Sequence, residues 1–173
     1  LDDSALKFLG RPHNTNQAQI AMSSAQKIFD HVSFDFIYAR PGQTLPKWRR
    51  ELTQVLNLAG DHLSLYQLTI EPGTDFSRKG VSSIDQDLAA DLFEVTQEMT
   101  SAVGLNSYEI SNHGKFTAQC QHNVNYWQAG DWIGIGPGAH GRFTVSANNY
   151  NDIQRCGTAT RRSPAGWLQS VQK

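Results

Sequence analysis

A chain of 173 residues, 39% of them hydrophobic, is long enough for one domain with a real core or for a piece of a larger one. Its 15 Lys and Arg against 16 Asp and Glu leave a net charge of -1, so no basic field covers the whole surface and nucleic acid is not an expected partner. No apolar run reaches the roughly 20 residues that cross a bilayer, and Leu1-Asp2-Asp3-Ser4 lacks a basic-then-apolar signal pattern, which predicts a cytoplasmic protein without a membrane span.

Taken in chain order, Asn14 can cap a helix running to Phe29, in which Ala18, Ala21, Met22, Ala25, Ile28 and Phe29 recur at three- and four-residue steps. A β-rich run over Val32–Tyr38 follows, then a turn at Pro41-Gly42. Thr44 can cap the next helix, with Pro46 in its first turn, an apolar stripe of Leu45, Trp48, Leu52, Val55 and Leu56, and a stop at Gly60. The pattern then predicts a strand over His62–Ile70, a turn over Glu71-Pro72-Gly73-Thr74, a helix over Ser83–Val103 stopped by Gly104, and a third strand over Leu105–Ile110.

Strands alternating with amphipathic helices predict parallel βαβ units with the helices on one side of a curved sheet. Three such strands would leave an open edge, and no strand precedes the first helix, so a piece of a larger sheet or barrel is expected. After Ile110 the period is lost. A region rich in Gly, Asn, His and Trp runs to about Arg142, followed by a polar tail containing Gly157 and Pro164. Cys120 and Cys156 have no CxxC spacing and are expected to be reduced, incidental thiols that build neither a disulfide framework nor an all-cysteine metal site.

Several residues carry chemistry, each with a plain structural alternative. His122-Asn123-Val124-Asn125-Tyr126-Trp127 packs an imidazole, two amides and two large rings into one short stretch. Such a set can ligate haem iron and cover a porphyrin face, or His122 can cap a turn while the rings anchor a core. In Gly134-Ile135-Gly136-Pro137-Gly138-Ala139-His140-Gly141, Pro137 removes an amide donor and Arg142–Val145 reads as extended, so the glycines serve a tight turn or a close backbone approach rather than a phosphate cradle, and His140 can touch a ligand or, the favoured reading, serve as a hydrogen-bonded structural histidine. Asp35 interrupts an apolar strand and needs a partner if buried, either a ribose diol or a structural Arg. Arg11 is a ready carboxylate or phosphate clamp, or a solvated cation. Gln67, Thr69 and Glu71 put polar groups on one face of the second strand.

In order, Leu6–His13, Phe34–Thr44, His62–Thr74, Tyr108–Asn112, the HNxxYW cluster and the GIGPGAHG turn resemble the HemW family, the haem-chaperone branch of the radical S-adenosylmethionine (SAM) proteins related to oxygen-independent coproporphyrinogen III oxidase. The resemblance implies an α/β fold: residues 1–112 as the later units of a partial (β/α)6 radical-SAM barrel, and 113–173 as an irregular Gly- and aromatic-rich segment leading into a C-terminal domain. It implies SAM, a 4Fe-4S cluster and haem as cofactors, with Arg11 at the SAM carboxylate, Asp35 at its ribose, Thr69 near the nucleoside and His122 on haem. The implied function is haem binding and transfer to haem-accepting apoproteins, a membrane-associated acceptor among them; radical decarboxylation of coproporphyrinogen III is the alternative. The family's CxxxCxxC motif and glycine-rich SAM segment do not occur in these residues, so this stretch alone is expected neither to hold the cluster nor to cleave SAM. The usual Gly-Leu before Pro-Gly-Gln-Thr stands here as Ala39-Arg40, a charge beside the SAM mouth.

Overall fold

A computed structural model describes residues 2–146 and 153–172, so part of the polar tail, 147–152, lies outside the described residues. Residues up to Gln119 form one unit and those from Cys120 another. In the first, α1 (Asp3–Phe8) starts where Asp2 Oδ1 accepts from Ser4 N at 2.8 Å. Helix α2 (Thr15–Ile28) begins at the expected cap: Gln17 N donates to Asn14 Oδ1 and Asn14 N to Gln17 Oε1, at 2.9 and 3.0 Å. Its apolar stripe is not all core, since Met22 is buried while Ile28 and Phe29 are exposed.

Strand β1 (Phe34–Tyr38), helix α3 (Leu45–Leu58) and strand β2 (His62–Gln67) make the predicted parallel βαβ unit, in register from Phe34↔Leu63 to Tyr38↔Gln67. Side chains alternate across a strand, so Phe34, Phe36 and Tyr38 face the helices together with Leu63 and Leu65. There they meet Trp48, Leu52 and Val55 of α3. The Trp48 ring stacks on Tyr38 at 5.0 Å, and its Nε1 donates to Thr96 Oγ1 at 2.8 Å, which satisfies the indole as it is buried. The opposite face carries Asp35 and Ile37. Asp35 is therefore exposed, and the partner that burial would have demanded is not required; it also lies second in β1 rather than at the strand's C-terminal end.

Beyond β2 the chain adds a short helix that the pattern missed, α4 (Asp75–Arg78), and then α5 (Gln86–Ala102). Helix α5 starts later than Ser83 because Asp85 is the better cap, its Oδ1 accepting from Asp87 N and Leu88 N at 3.0 and 3.1 Å. Leu92 and Val95 complete the core. The third strand differs from expectation. Only β3 (Asn106–Ser107) forms, and the chain turns into β4 (Asn112–Gly114), which pairs antiparallel with both β2 and β3 in the order β1-β2-β4-β3. Turn chemistry explains the reversal: Ser107 Oγ donates to Glu109 O at 2.7 Å, and the Glu109 carboxylate accepts from Ser111 N at 2.9 Å and from Asn112 Nδ2. Two antiparallel steps leave β3 running in the same sense as β2, one position removed.

The second unit is more regular than its composition implied. HNxxYW forms α6 (Gln121–Trp127), and Arg142–Val145 belongs to β5 (His140–Ser146), which pairs in a hairpin with β6 (Ile153–Ala159). Helix α7 (Pro164–Val171) follows, with Pro164 in its first turn and Ser163 Oγ accepting from Gly166 N at 3.2 Å. The glycine turn serves both expected purposes. Gly136 and Gly138 have φ of 106° and 72°, and a Cβ on Gly134 would lie 2.4 Å from His140 O.

Candidate functional sites

A cavity of about 480 Å³ opens in the first unit between α1, α2 and the uncovered face of β1, with Leu6, Met22, Ile37 and Tyr66 among its walls. Arg11 and Asp35 both line it. Arg11 follows Gly10, whose φ of 68° ends α1, and its N–H closes back on Leu6 O at 2.9 Å. The cavity thus offers a cation, an anion and apolar surface. Thr69 lies past the end of β2, exposed, and is not part of this lining.

Arg40, at the same rim, is not a free charge. Its guanidinium donates to Ile37 O and, at 2.6 Å, to Glu51 Oε2 on α3, where Gln43 Nε2 also donates at 3.0 Å. Burial pushes the Glu51 carboxyl up, but the hydrogen bonds and charges around it, that of Arg40 foremost, more than offset this and hold it below its usual range.

Sequence reasoning did not single out a polar network at the start of β2. His62 is 5% exposed; its Nδ1 lies 2.6 Å from Ser33 Oγ and its Nε2 2.6 Å from Tyr108 Oη. Ser33 Oγ is in turn 3.3 Å from Ser64 Oγ, which donates to Asn112 Oδ1 at 2.8 Å. Burial lowers the His62 pKa, while the charges of Asp35 and Glu109 act to raise it. The available signal was the Tyr108–Asn112 segment, whose polar side chains converge only because β4 folds back beside β2.

In the second unit His122 stands exposed in the first turn of α6, one turn before Tyr126, so their rings meet edge to face at 4.8 Å. Tyr126 meets Trp132 at 4.3 Å, and Arg155 Cζ lies 5.8 Å from the Trp132 ring centre. The helical period turns Trp127 away from this row. His140 opens β5, and its carbonyl accepts from Trp132 Nε1 at 3.1 Å. Cys120 and Cys156 are not joined in a disulfide, and no group of three or more His, Cys, Asp or Glu among the described residues can hold a metal. Two half-buried thiols do not fit a 4Fe-4S cluster, which takes at least three cysteines in the family it resembles.

A search of family models returned no match. The structure superposes on coproporphyrinogen III oxidase (HemN) from Escherichia coli, a radical SAM enzyme, with a TM-score of 0.72 over 99% of this chain and 41% of that one, at 14% identity. The mixed α/β fold is therefore of the radical SAM type. The chain is 45% identical over 157 residues to radical S-adenosyl methionine domain-containing protein 1, mitochondrial, of Dictyostelium discoideum, matching 84% of this chain and 35% of that one. It is 38% identical over 168 residues to heme chaperone HemW of Escherichia coli (strain K12), matching 96% of this chain and 43% of that one. Within the radical SAM proteins the chain belongs to the HemW-type family, and it spans about two-fifths of the length of the curated relatives it matches.

Proposed function

We propose that the protein binds haem and passes it to haem-accepting apoproteins, and that its first unit takes part in binding SAM. The observation that carries the reading is His122, an exposed imidazole backed by the Tyr126 ring, in a chain homologous to proteins named heme chaperone. An exposed imidazole can supply the lone pair a haem iron needs, and an aromatic neighbour fixes the ring and covers porphyrin surface. In the first unit, the Arg11 guanidinium suits the carboxylate of SAM and the Asp35 carboxylate its ribose hydroxyls, and one cavity carries both. Thr69, outside that lining, is left with at most a backbone contact to the nucleoside. SAM, when bound with a reduced cluster, would supply radical chemistry; the thiolates for such a cluster are not among these residues.

The radical decarboxylation reading rests on the fold shared with coproporphyrinogen III oxidase, at 14% identity. Haem transfer is preferred because HemW relatives match at 38%. A cytoplasmic location is part of the proposal; no described helix is long and apolar enough to cross a membrane, and one matched relative is named mitochondrial. The test is a haem titration followed at the Soret band. His122→Ala is expected to weaken binding and shift the band, while His140→Ala leaves the ligation spectrum unchanged because that residue serves the glycine turn through its backbone. Parental affinity and an unaltered spectrum in His122→Ala would make HNxxYW structural.

A further inference from the structure

The second unit carries a charge pattern that haem ligation by His122 does not use. From Cys120 onward there are five Lys and Arg against two Asp, whereas the residues before it carry ten against fourteen. The chain as a whole is near neutral, yet this unit is positive. Two of its cations share a face of the hairpin. Arg142 pairs with Gly157 and Thr144 with Arg155, so the two arginines are diagonal neighbours on adjacent strands, about 7–8 Å apart at Cα. The β-bridge between Trp132 and Arg142 adds the indole to the same face.

Local packing keeps both guanidinium groups available. A Cβ at position 157 would lie 3.0 Å from Arg142 Nη1, so the glycine makes the room in which that side chain lies. Arg142 Nη1 donates to Gly141 O at 2.9 Å and Arg155 Nη2 to Gly130 O at 2.8 Å, each a single backbone bond that leaves further N–H donors. Among the described residues no carboxylate pairs with either arginine. The nearby Asp131 is committed to Thr144, accepting from its N at 2.7 Å and its Oγ1 at 2.9 Å. Two neighbouring arginines beside a tryptophan are a receptor for a flat, apolar body with two carboxylates.

We propose that Arg142 and Arg155 bind the two propionates of the porphyrin, with the Tyr126 and Trp132 rings between them and His122. This rests on the haem reading above, and it assigns the anionic edge of the ligand to residues outside the HNxxYW cluster. Such a pair selects dicarboxylate porphyrins over esterified ones.

The test titrates hemin and hemin dimethyl ester into the parent protein and into Arg142→Gln/Arg155→Gln, with circular dichroism to check the fold. The parent is expected to prefer hemin by about tenfold, the scale of charge-assisted hydrogen bonds at a partly exposed site. The double variant should bind both ligands alike, at the parent's affinity for the ester, and with an unchanged Soret position. Arg155→Lys should keep part of the preference. If the double variant does not fold, Arg155→Gln alone is expected to lose part of the preference by the same comparison, and full retention there refutes the pair. A parent that does not discriminate, or a folded variant that loses both ligands equally, overturns the proposal while leaving ligation by His122 standing. A parent that binds no hemin overturns both.

Discussion

The Arg40–Glu51 pair permits a quantitative test. The side chains are 13% and 16% exposed, and the Nη2–Oε2 separation is 2.6 Å. Arg40→Leu would take from the largely buried Glu51 carboxylate its foremost hydrogen-bonded charge, while the bond from Gln43 Nε2 stays. Stranding one member of such a pair costs about 3 kcal/mol, whereas replacing both members by uncharged groups is close to neutral. Urea unfolding should therefore show Arg40→Leu destabilised by about 2–3 kcal/mol, with Arg40→Leu/Glu51→Gln recovering about 2 of them. The pH dependence gives a second reading. In the parent the folded Glu51 pKa lies below its reference of 4.5, so its contribution is present above that pH and is lost as pH falls through the folded value. Without Arg40 the carboxyl loses its foremost lowering influence and its pKa rises relative to the parent, so the variant's deficit should shrink as pH falls from 7 through the carboxylate range. Additive single and double variants, or a deficit that ignores pH, would refute the pairing argument.

Two further outcomes follow from buried groups. His113 is 1% exposed and its Nε2 lies 3.2 Å from the Gln97 amide nitrogen, so the ring accepts there and must be neutral; burial holds its pKa below 6.5. Its stabilising contribution is complete above about 6.5 and lost as pH falls towards the folded value, so Tm should drop between pH 7.5 and 5.5, and less so in His113→Gln; equal slopes would count against it. Ala39 is 1% exposed at φ 59°. Ala39→Gly gains about 1 kcal/mol of backbone relief and loses a comparable amount in methyl burial and unfolded-chain entropy, so urea midpoints should match within error. Ala39→Val, β-branched in a left-handed conformation, should lose more than about 2 kcal/mol, and a tolerated valine would show that the loop relaxes.

Helices α2, α3 and α5 and the first two strands were legible because local signals govern them. Asn14 and Gln17 cap each other, Pro46 sits in the first turn of α3, and the stripe of Trp48, Leu52 and Val55 is buried as its spacing requires. The third strand was not, because period alone does not distinguish a continuing strand from a turn. In Tyr108-Glu109-Ile110-Ser111-Asn112 the decisive groups are the Glu109 carboxylate and the Ser107 hydroxyl, which bond backbone and side chains two and three positions away. The helix α6 was hidden for a related reason. Seven residues with mixed polarity carry too few turns to show a period.

For the sites, what could be read depended on whether the residues are neighbours in sequence. His122 and Tyr126 are four apart, and the helix alone brings their rings together. The same geometry excludes Trp127, the motif's own last ring, and admits Trp132, which reaches the row only because its bridge to Arg142 fixes it against the hairpin. Arg155 then arrives from the far strand, opposite Thr144, a pairing that no spacing in the sequence announces. The same holds in the first unit, where Arg11, just past the end of one helix, and Asp35, on the open face of a strand, line one cavity. In the proposed haem site the motif supplies the residue for the ligand's reactive atom, while the groups proposed for its periphery are brought there by tertiary pairing. The arginine variants test that division where the motif is silent.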